Sequence, residues 1–142
     1  MISEQAFVHP NAEIGKNVTI DAFAYIDENV VIGDGTHIYP HATILSGARI
    51  GKNCNIFPGA VISAIPQDLK FIGEETTAVI GDNTTIRECA TVNRGTASKV
   101  TTIVGSYCLI MAYAHVAHDC KLGDRIILGN ATQLAGEVVV DD

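Results

Sequence analysis

Two histidines and a carboxylate lie within five residues of one another: His115, His118 and Asp119. An unperturbed imidazole titrates near pH ~6.5, so a histidine can take a proton from an alcohol and return it to a leaving group. An adjacent carboxylate can orient the ring and stabilise the imidazolium that forms. We therefore predict that His118 is a general base and Asp119 its partner. The alternative is a set of polar side chains that satisfy hydrogen bonds at a corner of the fold.

The chain that must position these residues repeats with a period of six. Aliphatic side chains recur at that interval in three runs: Val8, Ile14, Ile20, Ile26, Ile32, Ile38, Ile44, Ile50, Ile56 and Ile62; Ile80, Ile86 and Val92; Val104, Ile110, Val116, Leu122, Leu128, Leu134 and Val140. Neither an α-helix nor an alternating strand has this period. The repeat predicts an all-β protein, a parallel β-helix of hexapeptide repeats, with about seven coils of ~18 residues in a single domain spanning residues 1–142.

Glycines mark where the repeat is interrupted. They follow the aliphatic residues at Gly15, Gly33, Gly51, Gly81, Gly105 and Gly123. The first three recur once per coil, and we predict that each occupies a corner that needs a positive φ. The fourth is out of phase by 12 residues, and the last two are back in phase. Two inserted loops account for these shifts, one of 12 extra residues within 63–79 and one of six within 93–103.

Without the two loops, four aliphatic residues of successive coils lie above one another. They are Ile62, Val92, Val116 and Leu134. His118 and Gly136 each lie two positions beyond this column, so the Gly136 amide is predicted one rung above the imidazole, about 4.8 Å away, where it can hold an oxyanion during acyl transfer. The same spacing places Glu137 above Asp119, and the pKa of one carboxyl is expected to rise if both are buried.

Both loops are predicted at the edge that carries His118. The first contains Gln67, Asp68 and Lys70, and the second begins at Asn93. Loops on a rigid solenoid are where binding residues usually lie. We therefore expect the first loop to be a lid that contacts substrate, although its polar residues would also suit a solvated excursion.

Composition narrows the class of partner. The formal net charge is −7 and the nine basic residues are scattered, which argues against a nucleic-acid surface and favours a small-molecule partner. No apolar run approaches the roughly 18 residues of a membrane-spanning helix, and no secretory signal opens the sequence. We expect a cytoplasmic protein with no transmembrane segment.

The four cysteines form no C-x-x-C pair, so we expect reduced core thiols rather than zinc ligands or disulfides.

Several motifs together resemble one enzyme family. They are Phe7-Val8-His9-Pro10, Gln67-Asp68-Leu69-Lys70 with Gly73-Glu74 following, Ile86-Arg87-Glu88, Arg94-Gly95-Thr96 and Ala114-His115-Val116-Ala117-His118-Asp119-Cys120. The combination resembles the acyl-[acyl-carrier-protein]:UDP-N-acetylglucosamine O-acyltransferases of lipid A biosynthesis and covers essentially the whole chain. The resemblance also implies that the β-helix is left-handed, since parallel crossovers are otherwise right-handed.

This resemblance implies transfer of an (R)-3-hydroxyacyl chain from acyl carrier protein to the 3-hydroxyl of UDP-N-acetylglucosamine. It further implies a cytoplasmic homotrimer with active sites between subunits, and no metal or dissociable cofactor. His118 matches the general base of the family, Asp119 its partner and Gly136 the oxyanion donor. The residues that match its substrate contacts are Gln67, Asp68, Lys70 and His115.

The sequence departs from the family at two substrate-binding positions. Asn93 and Glu137 stand where the family commonly has histidine, so both keep hydrogen-bonding capacity but lose a potential cation. Family members also continue with further coils, which set acyl-chain length, and with a helical domain that receives the carrier protein. The repeat is still in register at Asp142, so we expect the chain to be part of a longer protein.

Three alternatives remain open. A γ-class carbonic anhydrase needs a third histidine beside His115 and His118 to hold zinc, and none falls on the adjacent rungs. The related N-acyltransferase that acts on UDP-3-O-acyl-glucosamine usually has an extra domain before its coils, whereas this chain starts its repeat at once. The third alternative is a trimeric solenoid fragment without catalytic activity.

Overall fold

The computed structural model describes residues 1–142, which form short parallel strands joined by turns. The strands are β1 (Phe7–Val8), β2 (Glu13–Ile14), β3 (Thr19–Ile20), β4 (Tyr25–Ile26), β5 (Val31–Ile32), β6 (His37–Ile38), β7 (Thr43–Ile44), β8 (Ala48–Ile50), β9 (Asn55–Ile56), β10 (Val61–Ala64), β11 (Thr77–Ile80), β12 (Thr85–Ile86), β13 (Thr91–Asn93), β14 (Thr101–Val104), β15 (Leu109–Ile110), β16 (His115–Val116), β17 (Lys121–Leu122), β18 (Ile127–Leu128), β19 (Gln133–Leu134) and β20 (Val139–Val140). The structure contains no long apolar helix that could cross a membrane.

The strands are arranged in three parallel sheets, one for each side of the coil. Their orders are β1-β4-β7-β10-β13-β16-β19, β2-β5-β8-β11-β14-β17-β20 and β18-β15-β12-β9-β6-β3. Each strand pairs with the strand three positions later in the chain, so three hexads complete one coil. The predicted parallel β-helix with about seven coils is therefore confirmed, because its sheets hold seven, seven and six strands.

The aliphatic residue of each hexad points into the coil and the residue before it points outward. Ile20, Ile26, Ile38 and Ile62 are all at most 1% exposed, and they belong to one cluster of 30 buried hydrophobic residues that follows the axis of the helix. Full burial of such a side chain contributes about 1.5–3 kcal/mol relative to exposure. Burial of the stacked isoleucines thus favours closure of the coils.

The corners differ from the prediction made from the glycines. Gly15, Gly33 and Gly51 do not have positive φ, so that prediction was wrong. A Cβ at Gly33 would lie 2.7 Å from the carbonyl of Gly51, so these glycines are needed for the close approach of stacked backbones. Left-handed corners are occupied mainly by residues other than glycine. Some are asparagines such as Asn17 and Asn53, which tolerate this conformation better than most side chains, but bulky residues such as Phe23 also occupy them.

Both insertions lie within the segments predicted from the phase of the repeat, 63–79 and 93–103. Residues 65–76 separate β10 from β11, and residues 94–100 separate β13 from β14. The register then places four residues in one column, in agreement with the prediction: Ile62 pairs with Val92, Val92 with Val116, and Val116 with Leu134. A bulge at Ser63, whose φ is 73°, shifts the register so that Ala64 pairs with Asn93.

Candidate active site

The corner that follows strand β16 faces an open cavity of about 400 Å³. Its lining combines residues of the first loop with residues of the top three rungs of one sheet: Gln67, Thr91, Tyr113, His115, Ala117, His118, Gln133, Leu134, Ala135 and Gly136. Three of the predicted site residues on the coils, His115, His118 and Gly136, thus share one cavity with Gln67. The rigid β-helix brings them together because each lies at the same position of its own coil.

His118 is held between two carboxylates. Its Nδ1 atom lies 2.9 Å from Oδ2 of Asp119, and its Nε2 atom lies 3.8 Å from Oδ2 of Asp68 in the first loop. The imidazole is 16% exposed, whereas the Asp119 side chain is fully buried. An ionised carboxylate only accepts hydrogen bonds, so Nδ1 carries the proton and Nε2 presents its lone pair towards the cavity. This arrangement suits an imidazole that accepts a proton from a bound hydroxyl.

The second loop surrounds the Asp119 carboxylate. The backbone N–H groups of Thr96 and Lys99 donate to Oδ1, at 2.9 and 3.2 Å, and the Thr96 hydroxyl donates to Oδ2. Burial raises the pKa of Asp119, but the hydrogen bonds from Thr96, His118 and Lys99 outweigh it, so the pKa lies below its ordinary value. Asp119 is therefore ionised at neutral pH. The sequence interpretation missed Thr96, since nothing in the repeat specifies where a loop residue points.

Gly136 lies directly over His118, as the spacing predicted. An added Cβ would overlap the Cε1 and Nε2 atoms of the imidazole, so only glycine leaves room for the ring. The Gly136 N–H donates no hydrogen bond within the chain. A backbone N–H that is free of other acceptors can donate to an oxyanion, as the donors of oxyanion holes do.

His115 lies in strand β16, three residues before His118 and on the same rung. Its Nδ1 atom is 2.7 Å from the hydroxyl of Thr91, which is its register partner in strand β13. Burial, and then the neighbouring charge of His118, lower the pKa of His115, so its ring is neutral at pH 7. Thr91 was missed from the sequence, although its place directly below His115 follows from the ladder.

The first loop approaches the site through two of its three predicted residues. Gln67 lines the cavity with His118, and Asp68 reaches towards Nε2. Lys70 is exposed and lines a separate depression with Asp68 and Glu137. Residues of the loop therefore lie beside the imidazole, which is the placement expected of a lid.

Asn93 and Glu137 lie outside the cavity that contains His118. Asn93 is 3% exposed, and its Oδ1 atom has no hydrogen-bond partner within the chain. Glu137 is exposed and accepts a 2.8 Å hydrogen bond from the hydroxyl of Ser98. The condition for a raised carboxyl pKa, burial of both Asp119 and Glu137, is not met, and the pKa of Asp119 is lowered instead.

Three of the four cysteines are buried, as expected of core thiols, but Cys89 is exposed, so the prediction was wrong for that residue. All four cysteines are free, and burial raises the pKa of Cys54, Cys108 and Cys120. No group of three or more histidine, cysteine, aspartate or glutamate side chains converges in the chain.

Comparison with known proteins extends these observations. The model of the bacterial transferase hexapeptide (six repeats) matches residues 11–46, 29–64 and 101–136. An acyl-[acyl-carrier-protein]–UDP-N-acetylglucosamine O-acyltransferase from Aliivibrio fischeri is 59% identical over 149 residues, covering 100% of this chain and 57% of that protein. One of the same name from Herminiimonas arsenicoxydans is 51% identical over 143 residues, covering 100% of this chain and 55% of that protein.

Solved structures give the same result. A UDP-N-acetylglucosamine acyltransferase from Bacteroides fragilis has a TM-score of 0.99 at 60% identity, covering 100% of this chain and 56% of that one. One from Francisella novicida has a TM-score of 0.97 at 46% identity, covering 100% and 52%. The left-handed β-helix of hexapeptide repeats and the resemblance drawn from the motifs are confirmed. The chain spans about half the length of the curated relatives it matches.

Proposed function

Because the chain belongs to the bacterial transferase hexapeptide family, we propose that it performs acyl transfer to a nucleotide sugar. The reaction moves an (R)-3-hydroxyacyl chain from acyl carrier protein to the 3-hydroxyl of UDP-N-acetylglucosamine, the first step of lipid A biosynthesis. One observation carries this proposal: the Nε2 lone pair of His118 faces a cavity beneath the free Gly136 amide. The chain that holds them is 46–60% identical to proteins named as UDP-N-acetylglucosamine acyltransferases.

The proposed steps use the groups of the site in turn. His118 Nε2 accepts the proton of the sugar hydroxyl as the oxygen attacks the acyl carbonyl. The Gly136 N–H donates to the oxyanion that forms, and Asp119 stabilises the imidazolium through Nδ1. The imidazolium then returns the proton to the departing thiolate of the carrier protein, which leaves the histidine neutral for the next cycle.

Substrate binding falls to the residues around this centre. Asp68 lies on the Nε2 side of His118, so its carboxylate can accept a hydrogen bond from a sugar hydroxyl or amide. Gln67 and His115 line the same cavity and offer further hydrogen bonds to the acceptor or the acyl chain. Lys70, Asn93 and Glu137 are proposed to contact the remaining parts of the substrates. The proposed reaction requires no metal or cofactor.

The proposal includes a cytoplasmic homotrimer whose active sites lie between subunits. The first loop supports it, because Ile65, Leu69 and Ile72 are 64%, 104% and 88% exposed in the single chain. Apolar side chains on a loop beside an active site are well suited to contact a neighbouring copy. A sedimentation mass of three 15.0 kDa chains supports this arrangement, and a monomer that is fully active contradicts it.

The catalytic assignment is tested with His118→Ala and, as control, His9→Ala, which removes a histidine of the first coil far from the cavity. Turnover is measured as acyl-UDP-N-acetylglucosamine formed from the hydroxyacyl carrier protein. Loss of a general base should lower turnover by ~10²- to 10⁴-fold in the first variant, with the control near wild type. Near wild-type turnover in a folded His118→Ala protein contradicts the role of His118. Wild-type protein without this transfer contradicts the proposed reaction.

A further inference from the structure

The buried carboxylate of Asp119 receives hydrogen bonds from one short segment of the second loop. The Thr96 N–H donates to Oδ1 over 2.9 Å, the Lys99 N–H donates to the same oxygen over 3.2 Å, and the Thr96 hydroxyl donates to Oδ2. The fourth donor is Nδ1 of His118, which shares Oδ2 with the Thr96 hydroxyl. Both oxygens of the carboxylate are therefore occupied before any substrate binds.

The direction of each of these hydrogen bonds is determined. The two backbone N–H groups can only donate, so Oδ1 accepts. The Thr96 hydroxyl accepts a 3.2 Å hydrogen bond from the N–H of Ser98, which leaves its own proton for Oδ2 of Asp119. No proton on the carboxylate is compatible with this set of donors, and His118 must therefore present a proton at Nδ1. The lone pair at Nε2, which faces Asp68 and the cavity, follows from that choice of tautomer.

The backbone of Asp119 is held independently. Its N–H donates to the hydroxyl of Thr102 over 2.8 Å, and its φ is 62°. This hydrogen bond keeps the corner in place but does not determine the torsion angles of the side chain. The Thr96 hydroxyl and amide do so, because they donate to both carboxylate oxygens and so restrict rotation of the carboxylate.

We propose that Thr96 is a positioning residue, whose hydroxyl aligns the Asp119 carboxylate so that His118 keeps its proton at Nδ1 and its lone pair at Nε2. The inference rests on the proposed function, in which Nε2 takes the proton of the acceptor hydroxyl. It also gives the second inserted loop a role, which is to hold the partner of the base through the hydrogen bonds of Thr96 and Lys99. A purely structural alternative is that Thr96 only ties the loop to the β-helix.

The first experiment observes the ring of His118 directly and does not depend on activity. The tautomer is determined from the ¹⁵N chemical shifts of Nδ1 and Nε2, at a pH where the imidazole is neutral. Thr96→Val removes the hydroxyl but keeps the shape and the amide, and Thr96→Ser keeps the hydroxyl. We expect the Nδ1–H tautomer in wild type and Thr96→Ser, and a mixture of tautomers in Thr96→Val.

Thr36→Val is the matched control. Thr36 is buried, as Thr96 is, and its hydroxyl donates to the carbonyl of Gly51 and accepts from the N–H of Cys54, but it lies far from Asp119. We expect Thr36→Val to lose about as much stability as Thr96→Val without a change in the tautomer of His118. That result separates a positioning role of Thr96 from a general loss of stability. A single Nδ1–H tautomer in Thr96→Val overturns the proposal, as does a mixture of tautomers in Thr36→Val.

The wild-type protein provides a test that needs no variant to fold. The hydroxyl proton of Thr96 should exchange slowly with water and show a nuclear Overhauser effect to the Nδ1 proton of His118, since both protons point at the same oxygen. A hydroxyl proton in rapid exchange with water contradicts the proposal.

Kinetics supply the second readout. Thr96→Val should lower kcat by roughly 10- to 100-fold, less than the ~10⁴-fold that follows complete loss of the orienting carboxylate in a serine protease triad. KM for the nucleotide sugar should change less than about threefold, and Thr96→Ser should restore kcat to within about threefold of wild type. Equal impairment in Thr96→Ser and Thr96→Val overturns the role of the hydroxyl. If the wild type does not transfer acyl groups, the proposed function fails while the tautomer measurement still decides the role of Thr96.

Discussion

Gly136 lies directly over the imidazole of His118, so closely that a Cβ would overlap Cε1 and Nε2 and come within 3.1 Å of Nδ1. The φ of Gly136 is not in the left-handed region, so the backbone itself would accept alanine. The constraint at this position comes from the ring one rung below, so glycine is needed at position 136 because His118 lies beneath it.

We predict that Gly136→Ala lowers kcat by roughly 100-fold, because misplacement of a reacting group by about 1 Å can cost that much. The control is Gly129→Ala in the same coil, where the nearest atom to an added Cβ is the Thr132 hydroxyl oxygen at 3.9 Å. That variant should retain wild-type turnover. Equal activity of the two folded variants in the acyl-transfer assay contradicts the prediction.

A second prediction concerns stability at acid pH. The pKa of Asp119 is lowered in the folded state, so its contribution to stability is complete above the unfolded pKa of ~3.9 and is lost as pH falls through the folded value. We expect the free energy of unfolding of wild type to exceed that of Asp119→Asn most above pH ~4, with the difference shrinking below it. Urea titrations of both proteins between pH 2 and 6 measure this, and a difference that does not vary with pH refutes it.

Thiol reactivity should distinguish one cysteine from the other three. Cys89 is exposed, whereas Cys54, Cys108 and Cys120 are buried and burial raises the pKa of each thiol. The thiolate is the reactive form, so one thiol per chain should react rapidly with a disulfide reagent at neutral pH. All four should react in denaturant. Rapid reaction of the Cys89→Ser protein under native conditions is the result that would contradict this assignment.

The buried aliphatic residues stacked inside the coils, here called the isoleucine column, provide a prediction about stability. Ile110 is fully buried in strand β15, and Ile127 in the neighbouring strand β18 is 68% exposed. Ile110→Ala should lower the free energy of unfolding by about 2–5 kcal/mol, since it leaves a cavity between coils. Ile127→Ala, the matched control, should cost less than about 1 kcal/mol. Similar losses in chemical denaturation of the two variants would show that the column is not the main source of stability.

Much of the fold was predictable because its contacts are periodic. Each coil buries two positions of every hexad, the aliphatic residue and the residue four positions later, such as Ile20 and Ala24. The six-residue repeat alone therefore specifies the sheets and their register. That register places Val92 below Val116 and Val116 below Leu134, and with them His118 below Gly136. The prediction of a positive φ at Gly15 was wrong. The sequence shows that a glycine is needed there, but it does not show whether the need comes from the torsion angle or from the close approach of another backbone.

The sequence by itself determined the coil, the column and the edge on which His115, His118 and Gly136 meet, because a repeated hexad converts position in the chain into position in space. Only the tertiary structure decided how the two loops use that edge. The inward turn of Thr96 to Asp119, the approach of Asp68 to Nε2 and the hydrogen bond between Ser98 and Glu137 arise within or from segments that have no period. Thr96 and Ser98 are placed by hydrogen bonds to groups distant in the chain, and Asp68 lies beside a histidine that is also distant in the chain. No local pattern of residues encodes these contacts.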